Sequence, residues 1–306
     1  MLPKFAYFKG QIVPYSEAKI GVMTHAFNYG TGAFAGVRAY WDPGQQQLNL
    51  FRPLDHFARF LNSAKLLMMD LGVSKEELTE ITVQLLRTEN LKENTYVRPI
   101  AYVSEEKLGV ALHGLECDFT IYAIPFGQYV KHDTGAHLTF SSWRRIDDNM
   151  IPARGKLTGA YINSSFIKSE ASQSGFDDAL VLNADGHVSE ASAMNFFIVK
   201  DGVLLTPPVS DNILEGITRR TVMELAAAEL GIEVQERSID RTEVFLAEEA
   251  FLTGTAAQIA AVTRVDHRQI GSGEMGPITA QLRDLFADLI YGRLEKYKGW
   301  LHPVYK

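Results

Sequence analysis

The stretch ALVLNADGHVSEASAMNFFIVKDGVLL, residues 179–205, decides the fold class of this chain. It contains two Asp-Gly pairs, Asp185-Gly186 and Asp201-Gly202, and each pair is set between apolar runs. Asp-Gly suits the positive φ angles of a two-residue hairpin loop, so the stretch predicts an antiparallel meander. Its apolar runs, at 179–182, 195–199 and 203–205, are the expected strands.

Outward from this stretch, the predicted strands cluster instead of alternating one by one with helices. Apolar spacing predicts helices at 55–71, 76–88, 161–172, 218–230 and 277–297. Further strands are expected at 5–8, 11–13, 95–103 and 118–125, and an apolar stretch covers 137–143. This order favours an α+β fold over a doubly wound parallel sheet. The polar residues 126–136 are interpreted as a linker between a small domain, 1–125, and a large domain, 137–306.

Composition limits the classes of function. The chain has 306 residues, 46% of them hydrophobic. This length exceeds what one hydrophobic core usually serves, so two domains are expected, with a single large barrel as the alternative. The net charge of −7 is not arranged in long blocks, so nucleic-acid and anionic-membrane partners are disfavoured. The single cysteine, Cys117, cannot form an internal disulfide, and no apolar stretch of about 18 residues or signal-peptide pattern occurs. We therefore expect a cytoplasmic protein outside the membrane.

Three features could serve an anionic cofactor with a reactive carbonyl group. Lys156 follows Gly155, and a lysine held in apolar surroundings has its pKa lowered toward the neutral nucleophile. Glu190 precedes three small residues and could keep a ring nitrogen protonated. The helix start at 216–218 offers N–H groups to a phosphate. Taken alone, each feature is more often an exposed loop lysine, a solvated carboxylate or a plain helix cap.

Other residues add weaker signals. Arg59 lies beside the apolar stripe of the first long helix and could reach a phosphate, although a solvated arginine is the default. Arg98 interrupts a strand, where it is either a surface charge on an edge strand or the receptor of a substrate carboxylate. Residues 253–257 form a turn of small and hydroxyl side chains, or a simple strand-to-helix connection. The sequence has no HExxH, Walker or GxSxG motif, and His132 and His137 lack partner ligands, so no metal is expected.

The ordered set of these motifs resembles the branched-chain amino-acid aminotransferases, which are pyridoxal-phosphate enzymes of fold type IV. The match covers nearly the whole chain, at 25–32, 36–38, Arg59, 63–65, 96–99, Lys156, 189–190, 195–197, 202–208, 216–219 and 254–257. The resemblance implies an α+β, two-domain fold type IV architecture. A smaller α/β N-terminal domain would precede a larger cofactor-binding domain with a mixed or antiparallel sheet and helices.

The resemblance also implies a role for each matching residue. Lys156 would form the Schiff base with pyridoxal 5′-phosphate and move the proton, and Glu190 would pair with the ring nitrogen. The other cofactor-binding residues would be Arg59, Tyr161, Leu214, Gly216, Ile217, Thr218 and Thr255. The substrate site would comprise Tyr29, Phe34, Gly36, Tyr96, Tyr129, Thr255 and Ala256, with Arg98 for the distal carboxylate of glutamate and Val110 reaching across a dimer interface.

The implied activity is reversible transamination between leucine, isoleucine or valine and 2-oxoglutarate, by a homodimer or a larger homo-oligomer. Alternatives within the same fold are a D-amino-acid or (R)-amine transaminase and an aminodeoxychorismate lyase. A non-catalytic pyridoxal-phosphate carrier is an alternative from another class. Two positions depart from the family: Ala35 stands where an acidic residue is usual, and Phe126 where tryptophan is frequent. Both departures touch the substrate side, so they bear on the range of amino donors.

Overall fold

The computed structural model describes residues 2–127 and 135–305. Over these residues the chain forms 17 β-strands, seven α-helices and three short 3-10 helices. The strands are Phe5–Phe8 (β1), Gln11–Pro14 (β2), Gly32–Phe34 (β3), Val37–Asp42 (β4), Gln47–Phe51 (β5), Thr95–Val103 (β6), Cys117–Pro125 (β7), Ala136–Arg144 (β8), Asp178–Leu182 (β9), Val188–Ala191 (β10), Asn195–Lys200 (β11), Val203–Thr206 (β12), Val234–Glu236 (β13), Glu249–Gly254 (β14), Gln258–Val265 (β15), Arg268–Gln269 (β16) and Leu301–Pro303 (β17). The helices are His25–Tyr29 (α1), Pro53–Leu66 (α2), Lys75–Glu89 (α3), Tyr161–Gln173 (α4), Ile217–Glu229 (α5), Arg241–Val244 (α6) and Pro277–Ile290 (α7).

Two of the predicted helices end earlier than their apolar spacing indicates. The first is expected to reach Leu71, but α2 ends at Leu66 because Met68 adopts a φ of 59°. The last is expected to reach 297, but α7 ends before Gly292, whose φ is 70°, and a separate 3-10 helix follows. A left-handed residue cannot continue a right-handed helix, so apolar spacing alone overestimates both lengths.

The chain divides into two compact units. The first comprises Met1–Gly127, Gly155–Gly159 and Asp288–Lys306, and the second comprises Gln128–Arg154 and Ala160–Ala287. Two segments of the first unit lie within the range predicted for the large domain, 137–306. The C-terminal segment belongs to the first unit because β17 pairs with β5. The short segment around Lys156 belongs there because Leu157 forms a bridge with Ala33.

In the first unit, the described strands form an eight-stranded sheet in the order β17-β5-β4-β6-β7-β1-β2, with β3 also paired to β6. Strand β6 therefore lies inside the sheet, and Arg98 is not on an edge strand. Arg38 on β4 stands opposite Tyr96, and Phe34 on β3 stands opposite Ile100. Because alternate residues of a strand share a face, Phe34, Arg38, Tyr96 and Arg98 lie on one face of this sheet.

In the second unit, the described strands form a nine-stranded mixed sheet in the order β10-β9-β8-β15-β14-β11-β12-β13, with β16 paired to β15. Both Asp-Gly hairpins form, but the prediction of one continuous meander is wrong, because three strands lie between β9 and β11. Asp201 and Gly202, with φ of 52° and 72°, make the expected two-residue turn. Turn chemistry specifies each hairpin locally, whereas the order of the hairpins depends on long-range pairing.

No helix among the residues that the structure describes is both long and apolar enough to cross a membrane.

We predict that the stability of the second unit depends on pH through His137, which contacts His267. The His267 amide donates to Nε2 of His137 at 3.3 Å, and the His137 ring packs edge-on against Phe176. Burial, with help from His267 and Arg264, lowers the pKa of His137 below its ordinary value of 6.5. The unfolded chain therefore binds the proton more readily, so this stabilisation is present above about pH 6.5 and is lost as the pH falls.

His137→Gln keeps a hydrogen-bond acceptor and removes the titration. Its free energy of unfolding in urea, measured between pH 7.5 and 5.5, is expected to fall less than that of the wild type. The exposed residue His113 supplies a matched control, and His113→Gln should retain the wild-type slope. Parallel profiles for the wild type and His137→Gln would show that His137 does not carry this dependence.

Candidate active site

Lys156 is fixed through its backbone. Its N–H donates to Oγ of Ser63 at 3.1 Å, and its carbonyl oxygen accepts the N–H of Phe34 at 2.9 Å. A Cβ on Gly155 would lie 2.7 Å from Cδ1 of Leu66, so a small residue is favoured immediately before the lysine. Lys156 is half-buried, and its Nζ lies 5.1 Å from the centre of the Phe34 ring. This placement differs from that of an exposed loop lysine.

Arg59 is connected to this lysine by one side chain. Ser63, which is buried on α2, receives the N–H of Lys156 and donates its hydroxyl to the Arg59 carbonyl oxygen at 2.8 Å. The arginine is half-buried on the same helix. The first unit therefore brings together the predicted amine and one predicted phosphate-binding residue.

An aromatic wall lies next to Lys156 in the first unit. It consists of the rings of Phe34, Tyr96 and Phe126 and the guanidinium groups of Arg98 and Arg38. The Arg98 guanidinium lies 4.5 Å from the Phe34 ring centre and 5.1 Å from that of Tyr96, and it donates to the Tyr96 hydroxyl at 2.9 Å. Tyr96 contacts Phe126 at 5.3 Å between ring centres, and Arg38 lies over Phe126 at 4.9 Å. Cations and rings therefore alternate along the wall. The rings can contact aliphatic groups, and the guanidinium groups can bind anionic ones.

The predicted carboxylate receptor in this wall has no protein counter-ion among the described residues. Nε of Arg98 is buried without a hydrogen-bond partner. Burial raises the pKa of Tyr122, which stands opposite Arg98 on β7, so this phenol stays neutral and does not balance the charge. A half-buried guanidinium whose Nε lacks a partner favours an anionic ligand.

Gly36 is required by the same wall. A Cβ at this position would lie 2.1 Å from the Tyr96 hydroxyl, which is too close for any larger residue. The predicted role of Gly36 in the substrate pocket thus has a steric basis, because it lets the Tyr96 hydroxyl approach the backbone.

Two other predicted substrate residues lie away from the wall. The Tyr29 hydroxyl accepts the N–H of Gly109 at 3.1 Å, and Val110, the next residue, is 79% exposed. Tyr129 lies outside the described residues. Tyr29, which is 38% exposed, and Val110 are therefore close together on an exposed surface.

Glu190, in the second unit, is surrounded by hydrogen-bond donors. Its Oε1 lies 2.8 Å from a terminal nitrogen of Arg145, and its Oε2 accepts Nδ2 of Asn195 at 3.0 Å and the N–H of Leu214 at 3.2 Å. The carboxylate is buried and is not a solvated group at the end of a hairpin. Leu214, predicted to lie against the cofactor ring, is tied to Glu190 through its backbone.

The start of α5 lies close to this carboxylate in the folded second unit. Gly216 is its N-cap and no side chain caps the first amide groups. A Cβ on Gly216 would lie 2.0 Å from Oδ1 of Asn195, the same asparagine that binds Glu190. Ile217 and Thr218 follow and are both buried. This terminus has the dipole and N–H groups that favour a phosphate.

Three further predicted residues lie in the second unit. Thr255 and Ala256 are half-buried in the turn between β14 and β15, so this segment joins two strands and not a strand to a helix. Asn195 pairs with Thr253 across β11 and β14, which brings this turn toward the Glu190 side of the sheet. Tyr161 is the first residue of α4 and is half-buried.

Comparison with known proteins establishes the family. The profile of the amino-transferase class IV family matches residues 32–265. A probable branched-chain-amino-acid aminotransferase of Aquifex aeolicus is 47% identical over 301 residues, which cover 98% of this chain and 97% of that protein. The branched-chain-amino-acid aminotransferase of Escherichia coli K12 is 38% identical over 304 residues, with 98% and 97% covered. The chain belongs to the class IV aminotransferases.

Solved class IV aminotransferases have the same fold. The branched-chain aminotransferase of Thermoproteus uzoniensis, crystallised with norvaline, matches with a TM-score of 0.95 and 42% identity over 99% of this chain and all of that one. The branched-chain amino acid aminotransferase of Thermobaculum terrenum in its pyridoxal-phosphate form matches with a TM-score of 0.95 and 36% identity over 99% of both chains. The fold predicted from the motifs, type IV with mixed sheets and helices, is confirmed.

The residues of this aminotransferase fit pyridoxal phosphate. Oγ of Ser189 and Oγ1 of Thr253 are buried without a partner among the described residues. The start of α5, whose N-cap residue Gly216 has no capping side chain, provides N–H donors, and Glu190 provides a carboxylate acceptor. Donors for a phosphate and an acceptor for a ring N–H are what this cofactor requires. Among residues 2–127 and 135–305, no cluster of three metal-ligating side chains is present.

Sequence reasoning missed three residues of this aminotransferase that contact predicted site residues or their neighbours within each unit. Arg145 and Asn195 bind Glu190, and Arg38 extends the aromatic wall. Asn195 and Arg38 lie within the family motifs, but the sequence gives neither of them a role of its own. Arg145 lies in a polar loop with no apolar periodicity, so only the folded structure brings it to the carboxylate.

Proposed function

We propose that this chain catalyses the reversible transfer of an amino group between branched-chain L-amino acids and 2-oxoglutarate, with pyridoxal phosphate as cofactor. The products are the branched-chain 2-oxo acids and L-glutamate. Curated relatives at 38–47% identity over almost the full length carry names with this activity, which supports the proposal.

The main support for the proposal is that two cationic side chains contact the same aromatic ring. The Lys156 amine and the Arg98 guanidinium contact the same Phe34 ring, at 5.1 and 4.5 Å. A substrate whose Cα lies at Lys156 can therefore place an aliphatic side chain against the rings, or a distal carboxylate on Arg98. An aminotransferase that uses leucine and 2-oxoglutarate in turn needs both options in one pocket.

Residues of the first unit would act on the substrate. Nζ of Lys156 would move the proton from the substrate Cα to C4′ of the cofactor, and would move a proton from C4′ to the product Cα in the opposite half of the reaction. Tyr96 and Phe34 exclude water from one side of the pocket, and Arg98 orients the dicarboxylate. Gly36 keeps the Tyr96 hydroxyl in place.

Residues of the second unit would hold the cofactor. Pyridoxal phosphate, when bound, supplies an aldehyde that carries the nitrogen and a ring that withdraws electrons. Ile217 and Thr218 at the α5 terminus would hold the phosphate together with Thr255. Glu190 accepts the ring N–H. Ala256 offers its N–H to the substrate α-carboxylate.

Amino transfer by the purified protein tests the proposal. Leucine, isoleucine and valine are each supplied with 2-oxoglutarate, and glutamate formation is measured. L-Leucine, D-alanine and (R)-1-phenylethylamine are then compared as donors, since buried Ala35 stands where the family usually has an acidic residue. Turnover with L-leucine above the other two is expected, and no turnover with any branched-chain donor would refute the proposal.

Arg98→Ala is expected to weaken the binding of 2-oxoglutarate selectively. Loss of a charge-assisted hydrogen bond should raise its KM about 10- to 100-fold, while the KM for the 2-oxo acid derived from leucine stays nearly constant. Steady-state kinetics with the two acceptors measure the split. Arg283→Ala, at a partly exposed position of α7, is the control for loss of an arginine. Equal effects on both acceptors would contradict the carboxylate assignment.

We also propose that the chain works in the cytoplasm as a homodimer or a larger homo-oligomer. An apolar patch made of Val22, Phe27, Leu108 and Val110 is 68–79% exposed. Its two segments are held together, since the His25 amide donates to the Glu105 carbonyl oxygen at 2.9 Å. A second copy would cover this patch and bring Val110 to the neighbouring site. Analytical ultracentrifugation should give at least a dimer, and a monomer at micromolar concentration would contradict this.

A further inference from the structure

The contacts of Glu190 with Asn195, Leu214 and Arg145, all in the second unit, are of two kinds. Oε2 receives neutral donors, Nδ2 of Asn195 and the N–H of Leu214, whereas Oε1 receives a terminal nitrogen of Arg145 at 2.8 Å. The side chains of Arg145 and Glu190 are 10% and 5% exposed, so water screens this ion pair weakly. Arg145 is thus the cation that the second unit places against Glu190.

Arg145 is itself fixed at two points. Its Nε donates to the Asn212 carbonyl oxygen at 3.1 Å, and its backbone N–H donates to the Leu182 carbonyl oxygen at 2.9 Å. Asn212 adopts a left-handed φ of 62° and donates Nδ2 to Asp147 at 3.3 Å. The guanidinium thus has a defined direction before any ligand is present.

Burial has a consequence for the position of a proton. A buried carboxyl group without a cation favours its neutral form, because the low dielectric penalises the charge. A neutral Glu190 beside a ring nitrogen would keep the proton on its own oxygen and donate it to an unprotonated ring. An ionised Glu190 would leave the proton on the ring nitrogen and accept the hydrogen bond. The two states differ only in which atom carries the proton.

We propose that Arg145 is a positioning residue that keeps Glu190 ionised and aimed, and so selects the state with the proton on the ring nitrogen. This inference rests on the proposed function, in which Glu190 accepts the ring N–H of pyridoxal phosphate. The arginine does not itself touch the cofactor or the substrate in this scheme. It acts through the carboxylate oxygen that it binds.

Nitrogen NMR of the loaded protein tests the proposal directly. Pyridoxal phosphate with nitrogen-15 in the ring is bound to the wild type, Arg145→Gln, Arg145→Lys and Glu190→Gln, and the ring-nitrogen resonance is recorded at neutral pH. The wild type should show a protonated ring and Glu190→Gln an unprotonated one. Arg145→Gln should shift toward Glu190→Gln, and Arg145→Lys, which keeps the charge, should stay near the wild type.

Cofactor affinity gives a second readout. Arg145→Gln should weaken the Kd of pyridoxal phosphate for the cofactor-free protein by about tenfold or more, since a hydrogen bond to a charged group is lost. The lysine variant should recover part of this loss. Because lysine cannot bind Asn212 and Glu190 together as arginine does, its recovery is expected to be incomplete.

The outcomes separate the inference from the proposed function. A wild-type resonance in Arg145→Gln, together with a shifted one in Glu190→Gln, overturns the role of Arg145 and leaves that of Glu190 intact. If Arg145→Gln lowers the melting temperature but leaves the ring-nitrogen resonance unchanged, Arg145 has only a structural role, and the inference is overturned. An unshifted resonance in Glu190→Gln overturns the proposed ring partner itself. If Arg145→Gln does not fold, an unprotonated ring nitrogen in Arg145→Lys, which keeps the positive charge, overturns the inference.

Discussion

Lys156→Ala protein remains folded and loses transamination by about 10⁴-fold or more, because the amine that attaches the cofactor and moves the proton is removed. The fold is expected to survive because the interactions that fix this segment come from its backbone. The Lys156 N–H binds Ser63 and its carbonyl oxygen binds Phe34, and alanine keeps both. Single-turnover glutamate formation measures the loss, and circular dichroism measures the fold.

A lysine outside the site supplies the matched control. Lys75 begins α3, is 44% exposed and pairs only loosely with Glu76, so Lys75→Ala should retain wild-type activity. Residual activity of Lys156→Ala within about tenfold of the wild type would mean that another group carries the proton, and the central assignment would be wrong.

Glu190→Gln has the second-largest expected effect. Glutamine preserves the shape but loses the charge that faces Arg145 and, in the proposed function, accepts the ring N–H. A ring nitrogen without its proton withdraws electrons less strongly from the reacting carbon, so both half-reactions should slow by about 10²-fold or more. Stopped-flow absorbance of each half-reaction measures the change, and equal slowing with leucine and with glutamate is expected.

Another arginine-paired carboxylate of the same unit provides the control for this prediction. Glu243 binds Arg237 at 2.6 Å and Lys200 at 3.1 Å. Glu243→Gln should lower the melting temperature and leave kcat close to that of the wild type. If Glu190→Gln also changes only stability, its carboxylate is a structural group and does not act on the ring.

Among the described residues, local patterns predicted five of the seven α-helices but fewer than half of the 17 strands, and β3, β4, β5, β14 and β15 were among those missed. The hairpin turn at Asp201-Gly202 and the helix that follows Gly216 both form, because their signals act over a few residues. The order of strands in the second sheet was not predictable in this way. Strand β15 lies between β8 and β14, although β8 is far from both in sequence, and no turn motif encodes that pairing.

The residues of the candidate site also differ in how far the sequence predicts them. Lys156, Glu190 and Arg98 are predicted site residues because the ordered motifs resemble one family, not because their spacing is specific. Arg145 carried no such signal. Its role depends on the backbone of Asn212, whose left-handed conformation turns a carbonyl oxygen toward the guanidinium. Contacts of this kind arise from tertiary structure, so sequence patterns cannot supply them.

The measurement that tests the central assignment most directly is borohydride reduction of the holoenzyme followed by peptide mass mapping. Reduction fixes the cofactor permanently to the amine that holds it. We expect the added phosphopyridoxyl mass on the peptide that contains Lys156, and its loss in Lys156→Ala. Attachment at another lysine, or no attachment in a yellow preparation, would contradict the assignment.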